Sequence, residues 1–416
     1  MVSLANIAQS LSGFHIYFSR GLAFHRGYRL SPRVTSFAKS FRQSFVFRFS
    51  PALGFVFSPL SKIGLPNENL TPCFPLDGKQ IRPIQEPYEF YDQLKTQILA
   101  AKERIFLSAL YIGSEEKELD QSPADLLAPL VKEFPDQVTI SLYHTPDLKG
   151  ILKIFLPSRF NEGIGLMHIK VYGFDNNLIL SGANLSHDYF NNRQDRYMLF
   201  TNISNLANYF DDLIKTIATF SYTLKPDKNS FKLVLSNIPD PSSQSRQFKK
   251  HASFIMKCFI EKWIKKGDIQ EHQLDQFDTI IFPVIQMASL DIRQDENATL
   301  YILDTIAKNE NWKMFFTSGQ MDFIIQKEFP KEYKRSNWTF HAKGLWCYMN
   351  GQKWPSLTII GSSNYGYRST KRDLEAQVIL ITTNDFLKKA MHDELNHLRK
   401  NTAMVTNETF AQVDRK

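Results

Sequence analysis

Apolar residues recur at helical intervals through Tyr91, Leu94 and Ile98 in the stretch YEFYDQLKTQILAAKER, which predicts a helix. The following run, RIFLSALYIG, is short and apolar at almost every position, as expected of a buried strand. PADLLAPLVKEF then predicts a helix and QVTISLYH a strand. HIKVYGF and LILSGAN, joined through the turn-forming residues Asp175, Asn176 and Asn177, predict a hairpin. RYMLF reads as one more strand, and a helix from Ser204 to about Thr223 closes the series. A polar stretch, residues 225–247, breaks the pattern, after which the order recurs. TIIFPVIQMASL is an apolar run, NATLYILDTIAK a helix, and KMFFTSG, TFHAKGLWCYM, LTIIGSSN and AQVILITT are strands before the helix DFLKKAMHDELNHLRK. Strands alternating with helices predict an α/β fold of two lobes, each a mixed sheet flanked by helices, and a duplication is the simplest account. The lobes are expected over 88–230 and 231–400, with a tail at 401–416. Pro66, Pro72, Pro75, Pro83 and Pro87 predict a linker over 68–87.

The duplication extends to chemistry. Of the ten histidines, only His168 and His341 are followed two places later by lysine, Lys170 and Lys343. Each pair precedes a small–small–x–Asn element, SGAN ending at Asn184 and GSSN ending at Asn364, and eleven residues beyond each Asn stands an acid, Asp195 or Glu375. Alternate residues of a strand share a face, so His168 and Lys170 are expected to point the same way. A phosphodiester or pyrophosphate held between two such hairpins would find what its displacement requires. Lys170, Lys343, Asn184 and Asn364 supply donors for the charge that develops on the phosphoryl oxygens. One imidazole attacks phosphorus while the other moves the proton of the leaving and entering oxygens. Asp195 and Glu375 each fix a tautomer by holding one ring nitrogen. The scheme calls for no metal and no cofactor.

Charge separates the N-terminus from the rest. The chain carries a formal net charge of +8, but residues 1–67 contain eight basic residues and no acid, and the remainder balances at 42 basic against 42 acidic. A basic, acid-free, Ser-rich leader reads as a mitochondrial transit peptide, the other reading being a basic arm for nucleic acid or anionic lipid. The neutral body argues against a nucleic-acid partner. No apolar run is long enough to span a bilayer. LKGILKIFLPSRF, residues 148–160, has lysines beside apolar side chains and could rest at a lipid interface, although a packing element is the favoured reading. Cys73, Cys258 and Cys347 are too scattered for a disulfide framework or zinc site.

The repeated His-x-Lys and Asn elements resemble the phospholipase D superfamily, whose HxKxxxxD motif occurs twice. His168, Lys170 and Asp175 match it fully, whereas the second copy has Tyr348 where Asp is expected. Within that superfamily the stretches HIKVYGFDNNLILSGANLSHDYFNNRQDRY and HAKGLWCYMNG, with LTIIGSSNYGYRSTKRDLEAQ, are similar to the eukaryotic mitochondrial phosphatidylglycerophosphate synthases. The resemblance implies two pseudo-two-fold related lobes sharing one active site. It also implies transfer of a phosphatidyl group from CDP-diacylglycerol to sn-glycerol 3-phosphate, releasing CMP, by a peripheral enzyme of the mitochondrial inner membrane, matrix side expected. His168 would be the nucleophile and His341 the general acid and base. Asp175 sits off the His/Lys face in a supporting role, and Arg193, Arg196, Arg368 and Arg372 are candidates for holding the acceptor phosphate. A phosphatidylserine or cardiolipin synthase, a mitochondrial phosphodiesterase or nuclease, and a non-catalytic lipid-binding scaffold are the competing readings.

Overall fold

Strands apolar at every position need cover on both faces, and two sheets provide it here. The computed structural model describes residues 13–19, 71–110, 112–113, 123–148, 165–227, 231–267, 276–318, 323–326, 330–333, 335–349 and 351–404. The surface-seeking stretch lies outside them beyond Leu148, as does most of the basic leader.

Among the described residues the first sheet has nine strands, in the order Phe231–Val234, Tyr222–Pro226, Val138–Tyr143, Gly13–Ser19, Arg104–Ala109, Val171–Phe174, Asn177–Ser181, Tyr197–Phe200 and Ile81–Ile84. The second has ten among the described residues, with Thr279–Met287, Glu375–Thr382, Leu357–Gly361, Gly344–Tyr348 and Lys313–Thr317 adjacent at its centre. Period-two alternation divides each apolar strand between two cores. Ile105 and Leu107 face the outer core under the helices Pro87–Ala100 and Pro123–Glu133, while Phe106 faces inward. In the other sheet Ile280, Phe282 and Val284 pack outward near the helix Gln294–Ala307, and Ile281 and Ile285 pack inward. The inward sets of both sheets join one core shared by the lobes, to which the helices Ser204–Ala218, Ser245–Lys266 and Asp385–Arg399 contribute. The two-lobed α/β architecture expected from the repeat is present. The first sheet is mixed through the parallel pairs of Gly13–Ser19, and the pairings described for the second are antiparallel.

Three boundaries differ from those expected. The proline-rich 68–87 stretch is no linker, because Phe74–Leu76 pairs with Thr279–Met287 of the second sheet and Ile81–Ile84 with Tyr197–Phe200 of the first. Pro75 and Pro83 are tolerated because their segments pair on one side only, so no ladder donor is missed. Within the leader, Gly13–Ser19 runs parallel to Arg104–Ala109 on one side and Val138–Tyr143 on the other, the β-prone sequence GFHIYFS overriding the leader composition. The helix expected to about Thr223 ends at Ala218, and the first lobe, expected to end at 230 within a polar seam from 225, runs on to Val234, since Tyr222–Pro226 and Phe231–Val234 extend the first sheet.

Asp175, expected in a supporting role off the His/Lys face, lies at the hairpin turn. It turns the hairpin at φ 51°, a left-handed conformation that Asp tolerates. Its carboxylate accepts from the backbone N–H groups of Lys102 (2.8 Å), Glu103 (2.8 Å) and Arg104 (2.9 Å), pinning the start of the neighbouring strand. Burial opposes the charged form, but these three donors outweigh it and hold the carboxyl below its ordinary range. A carboxyl held lower in the fold than in the unfolded chain stabilises the fold above the unfolded value, and the contribution fades as pH falls through the folded one. Asp175→Ala is therefore expected to lower the unfolding free energy in urea by about 1–3 kcal/mol at neutral pH. The deficit should shrink below about pH 4. In the second lobe Tyr348 replaces this anchor with another, its hydroxyl meeting His392 Nδ1 at 2.8 Å and its ring the edge of Phe315.

Candidate active site

His168 and Lys170 lie just ahead of their strand, which begins at Val171, so strand alternation does not set their directions. The other lobe does. Met167 bridges Leu374 in parallel, the His168 N–H donates to the Leu374 carbonyl (2.8 Å), and the Leu374 N–H donates to the Leu166 carbonyl (2.8 Å). The second motif repeats the arrangement. Arg193–Gln194 pairs in parallel with Thr339–Phe340, and the His341 N–H donates to the Gln194 carbonyl (2.8 Å). Each histidine is thus tied to the residue immediately before the other lobe's carboxylate.

The carboxylate pairing is crossed as a result. His168 Nδ1 lies 2.9 Å from both oxygens of Glu375, and His341 Nδ1 lies 2.7 Å from Asp195 Oδ2. The sequence pointed to Asp195 and Glu375 as the orienting acids, and the fold assigns each to the histidine of the opposite lobe. With Nδ1 held by an acceptor, the proton belongs there and Nε2 is left with its lone pair.

Burial dominates the electrostatics. Both imidazoles are pushed well below their ordinary pKa, by desolvation first and then by the lysines. Lys170 is driven well down by burial and by Lys343, and Lys343 is lowered to about 8 by burial. Burial raises Glu375, and it raises Asp195 to about 6. Each lysine is felt by both carboxylates, so four charges from two lobes form one buried cluster. Lys170 Nζ donates to the His168 carbonyl (2.8 Å), while Lys343 Nζ lies 3.0 Å from His341 Nδ1. Two imidazoles and two lysines whose charged forms burial disfavours are set up to receive an anion, whose charge would restore the protons.

The two halves are not equivalent. Ser362 in GSSN donates to Glu375 at 2.5 Å, and Ser369 also hydrogen-bonds that carboxylate. The counterpart of Ser362 in SGAN is Gly182, whose missing side chain makes room for charge. A Cβ there would stand 2.6 Å from Asp195 Oδ1 and 2.7 Å from Lys343 Nζ. Gly182→Ser is accordingly expected to displace Lys343 and lower kcat by about 100-fold or more without unfolding the chain, checked by steady-state rates beside a thermal melt. The counterpart of Ser369 is Tyr189, a residue the sequence reading missed. Its hydroxyl lies 3.3 Å from both ring nitrogens of His341, and its ring packs edge-on to that imidazole. Nothing in the order of residues marked it, because its counterpart in the repeat is a serine.

Asn184 and Asn364 follow their strands as expected. Asn184 Oδ1 accepts from the Leu110 N–H (3.1 Å), leaving its amide NH2 as the donor end. Asn364 is held by its backbone, accepting from Ser318 and donating to Ser369, and its buried Oδ1 has no partner among the described residues. Of the four candidate arginines, Arg193 lies over the Tyr189 ring and bears on His341 and Asp195, while Arg368 bears on His168 and donates to Asp373 (2.8 Å). Arg372 is exposed near Tyr367. Arg196 does not serve an acceptor phosphate, because its guanidinium is committed elsewhere. It binds both oxygens of Glu394 at 2.9 Å, the Ile359 carbonyl (2.8 Å) and Thr358 (3.0 Å), and it stacks on Trp346. It clasps the lobes, passing Gly344, where φ is +151° and a Cβ would lie 2.0 Å from its Nη1. His168, Asp373 and Glu375 are close enough to hold a cation, yet each carboxylate oxygen already meets a donor from Leu166, Arg368, His168 or Ser362.

No protein-family model matches the chain. It is 34% identical to a probable CDP-diacylglycerol–glycerol-3-phosphate 3-phosphatidyltransferase of Dictyostelium discoideum, over 82% of this chain and 75% of that one. It is 33% identical to the mitochondrial protein of that name in Gallus gallus, over 83% and 82%, and 31% identical to the Saccharomyces cerevisiae protein, over 82% and 86%. Among solved structures it is similar to the phosphatidylserine synthase of Haemophilus influenzae, at TM-score 0.52 and 14% identity, over 82% of this chain and 90% of that one, a likeness of fold.

Proposed function

The chain belongs to the CDP-diacylglycerol–glycerol-3-phosphate 3-phosphatidyltransferase family, and from that premise we propose how its two lobes carry out the transfer. The reaction moves a phosphatidyl group from CDP-diacylglycerol to sn-glycerol 3-phosphate, giving phosphatidylglycerophosphate and CMP. His168 Nε2 attacks the phosphorus bearing the diacylglycerol, the bond from that phosphorus to the CMP oxygen breaks, and His341 gives CMP a proton. The primary hydroxyl of glycerol 3-phosphate then passes its proton to His341 and attacks the same phosphorus, and the nitrogen–phosphorus bond breaks. Lys170, Lys343, Asn184 and Asn364 hold the phosphoryl oxygens as their charge grows. Arg193 and Arg368, beside the two histidines, are the arginines suited to the acceptor's phosphate.

The observation that carries this reading is the crossed pairing of His168 with Glu375 and of His341 with Asp195. It aligns two tautomerically fixed imidazoles in one buried cluster. Purified protein supplied with CDP-diacylglycerol in detergent should release CMP rapidly only when glycerol 3-phosphate is present. Product from serine or water in its place would point to another superfamily activity. Two displacements in succession invert phosphorus twice, so a substrate chiral at that phosphorus should give product with retained configuration; inversion would exclude the covalent step. For location, the mitochondrion is proposed, at the inner membrane, peripheral and on the matrix side. The acid-free leader and the mitochondrial relative support this, and no helix among the described residues is long and apolar enough to cross a membrane.

A further inference from the structure

The helix Ser245–Lys266 buries one stripe, Phe248, Ala252, Met256, Phe259 and Trp263, and presents the opposite stripe to solvent. That outer stripe is basic. The helix carries seven Lys and Arg residues against Glu261 alone. Lys249, Lys257 and Lys262 meet Asp147, Asp291 and Asp212 from neighbouring elements, whereas Arg246, Lys250 and Lys265 have no ion-pair partner among the described residues. In the middle of this basic stripe stands Phe254, 68% exposed.

The helix is tied to segments that flank the active-site residues. At its N-terminal end, Ser245 donates to the Pro146 carbonyl (2.7 Å), and the neighbouring Thr145 hydroxyl lies against Gly165, three residues before His168. On its flank the helix packs on the turn Ala288–Leu290, against which the short helix Tyr367–Lys371 also packs. Tyr367 there is 70% exposed, next to Arg368. Basic side chains interspersed with exposed aromatic rings match the physical chemistry of a bilayer interface. Lysines seek anionic headgroups, and the rings settle at headgroup depth.

We propose that the outer face of the helix Ser245–Lys266, centred on Phe254, together with Tyr367, is the surface on which the enzyme docks to a bilayer carrying anionic lipid. The inference rests on the phosphatidyltransferase reading. That reaction draws one anionic lipid from a membrane and returns another, and no helix among the described residues spans it.

The test uses the full chain and vesicles of phosphatidylcholine with or without phosphatidylglycerol, read by flotation. Binding to the anionic vesicles should exceed that to neutral ones by about tenfold or more and weaken between about 0.1 M and about 0.5 M salt. The triple variant Arg246→Glu, Lys250→Glu and Phe254→Ser should bind at least about tenfold more weakly, yet release CMP in detergent micelles within about twofold of the wild type. Cys258, exposed one turn beyond Phe254, gives an independent readout. An environment-sensitive dye placed there in a Cys73→Ser background should shift blue on anionic vesicles. Equal binding by the triple variant, an unmoved dye, or tighter binding to an oligonucleotide than to vesicles would each overturn the proposal. Loss of detergent activity in the wild type with vesicle binding intact would instead overturn the reaction and leave the surface standing.

Discussion

His168→Ala is expected to lower kcat/KM for CMP release by about four orders of magnitude or more, while His341→Ala should stall the reaction halfway. The two variants differ because the two steps ask different things of the proton carrier. CMP departs as a phosphate whose conjugate acid is already acidic, with a pKa of about 6, so it needs little help in leaving. The acceptor is a primary alcohol, nearly as reluctant as water to give up its proton, so it needs a base. Without His341 the first displacement should still run and the second should not. A burst of CMP close to one equivalent per enzyme is expected, together with a phosphatidyl group retained on the protein. Mass spectrometry of the intact His341→Ala protein after exposure to CDP-diacylglycerol would detect the adduct. A burst from His168→Ala, or an adduct on another residue, would reverse the assignment of roles. Both side chains are buried, His168 at 4% and His341 at 8% exposure, so each variant needs a melting curve beside its rate.

Much of this site could be read from the order of residues. The repeat of His-x-Lys, small–small–x–Asn and a carboxylate at equal spacing requires only counting, and the apolar strands stand out because both their faces are covered. What could not be read is which lobe holds which partner. The crossing depends on backbone bonds between Met167 and Leu374 and between Gln194 and His341, contacts more than a hundred residues apart that leave no periodic mark. For the same reason Arg196 looked available, since its partners Glu394, Ile359 and Thr358 all lie in the other lobe. Proline misled in the 68–87 stretch, where Pro75 and Pro83 sit in segments paired on one side only and so break nothing. The strand Gly13–Ser19 was hidden by its setting, a few β-prone residues within a basic leader.

The crossed pairs also predict that each carboxylate governs the chemistry of the opposite lobe. Glu375→Gln is expected to lower the CMP burst rate by about 10²- to 10⁴-fold, because an amide cannot hold the His168 tautomer or steady the positive charge that ring gains on attack. Asp195→Asn should leave the burst largely intact and slow its discharge to glycerol 3-phosphate by a similar factor, since it acts through His341. Single-turnover rates with and without acceptor separate the two, and pairing within each lobe would give the reverse result. The pH profile follows from the same cluster. Burial raises Asp195 to about 6, so below that value it takes up a proton and no longer orients His341 as an anion. Burial lowers Lys343 to about 8, so above that value the empty enzyme loses a positive charge from the phosphate site. The kcat/KM profile for glycerol 3-phosphate should carry an acid limb near 6 and that for CDP-diacylglycerol an alkaline limb near 8, both belonging to the coupled cluster as a whole. A bound pyrophosphate favours the protonated lysine, so the upper limb of kcat should lie at higher pH than that of kcat/KM. In Asp195→Asn the acid limb near 6 should vanish while the alkaline one persists, and an acid limb unchanged in that variant would assign it to another group.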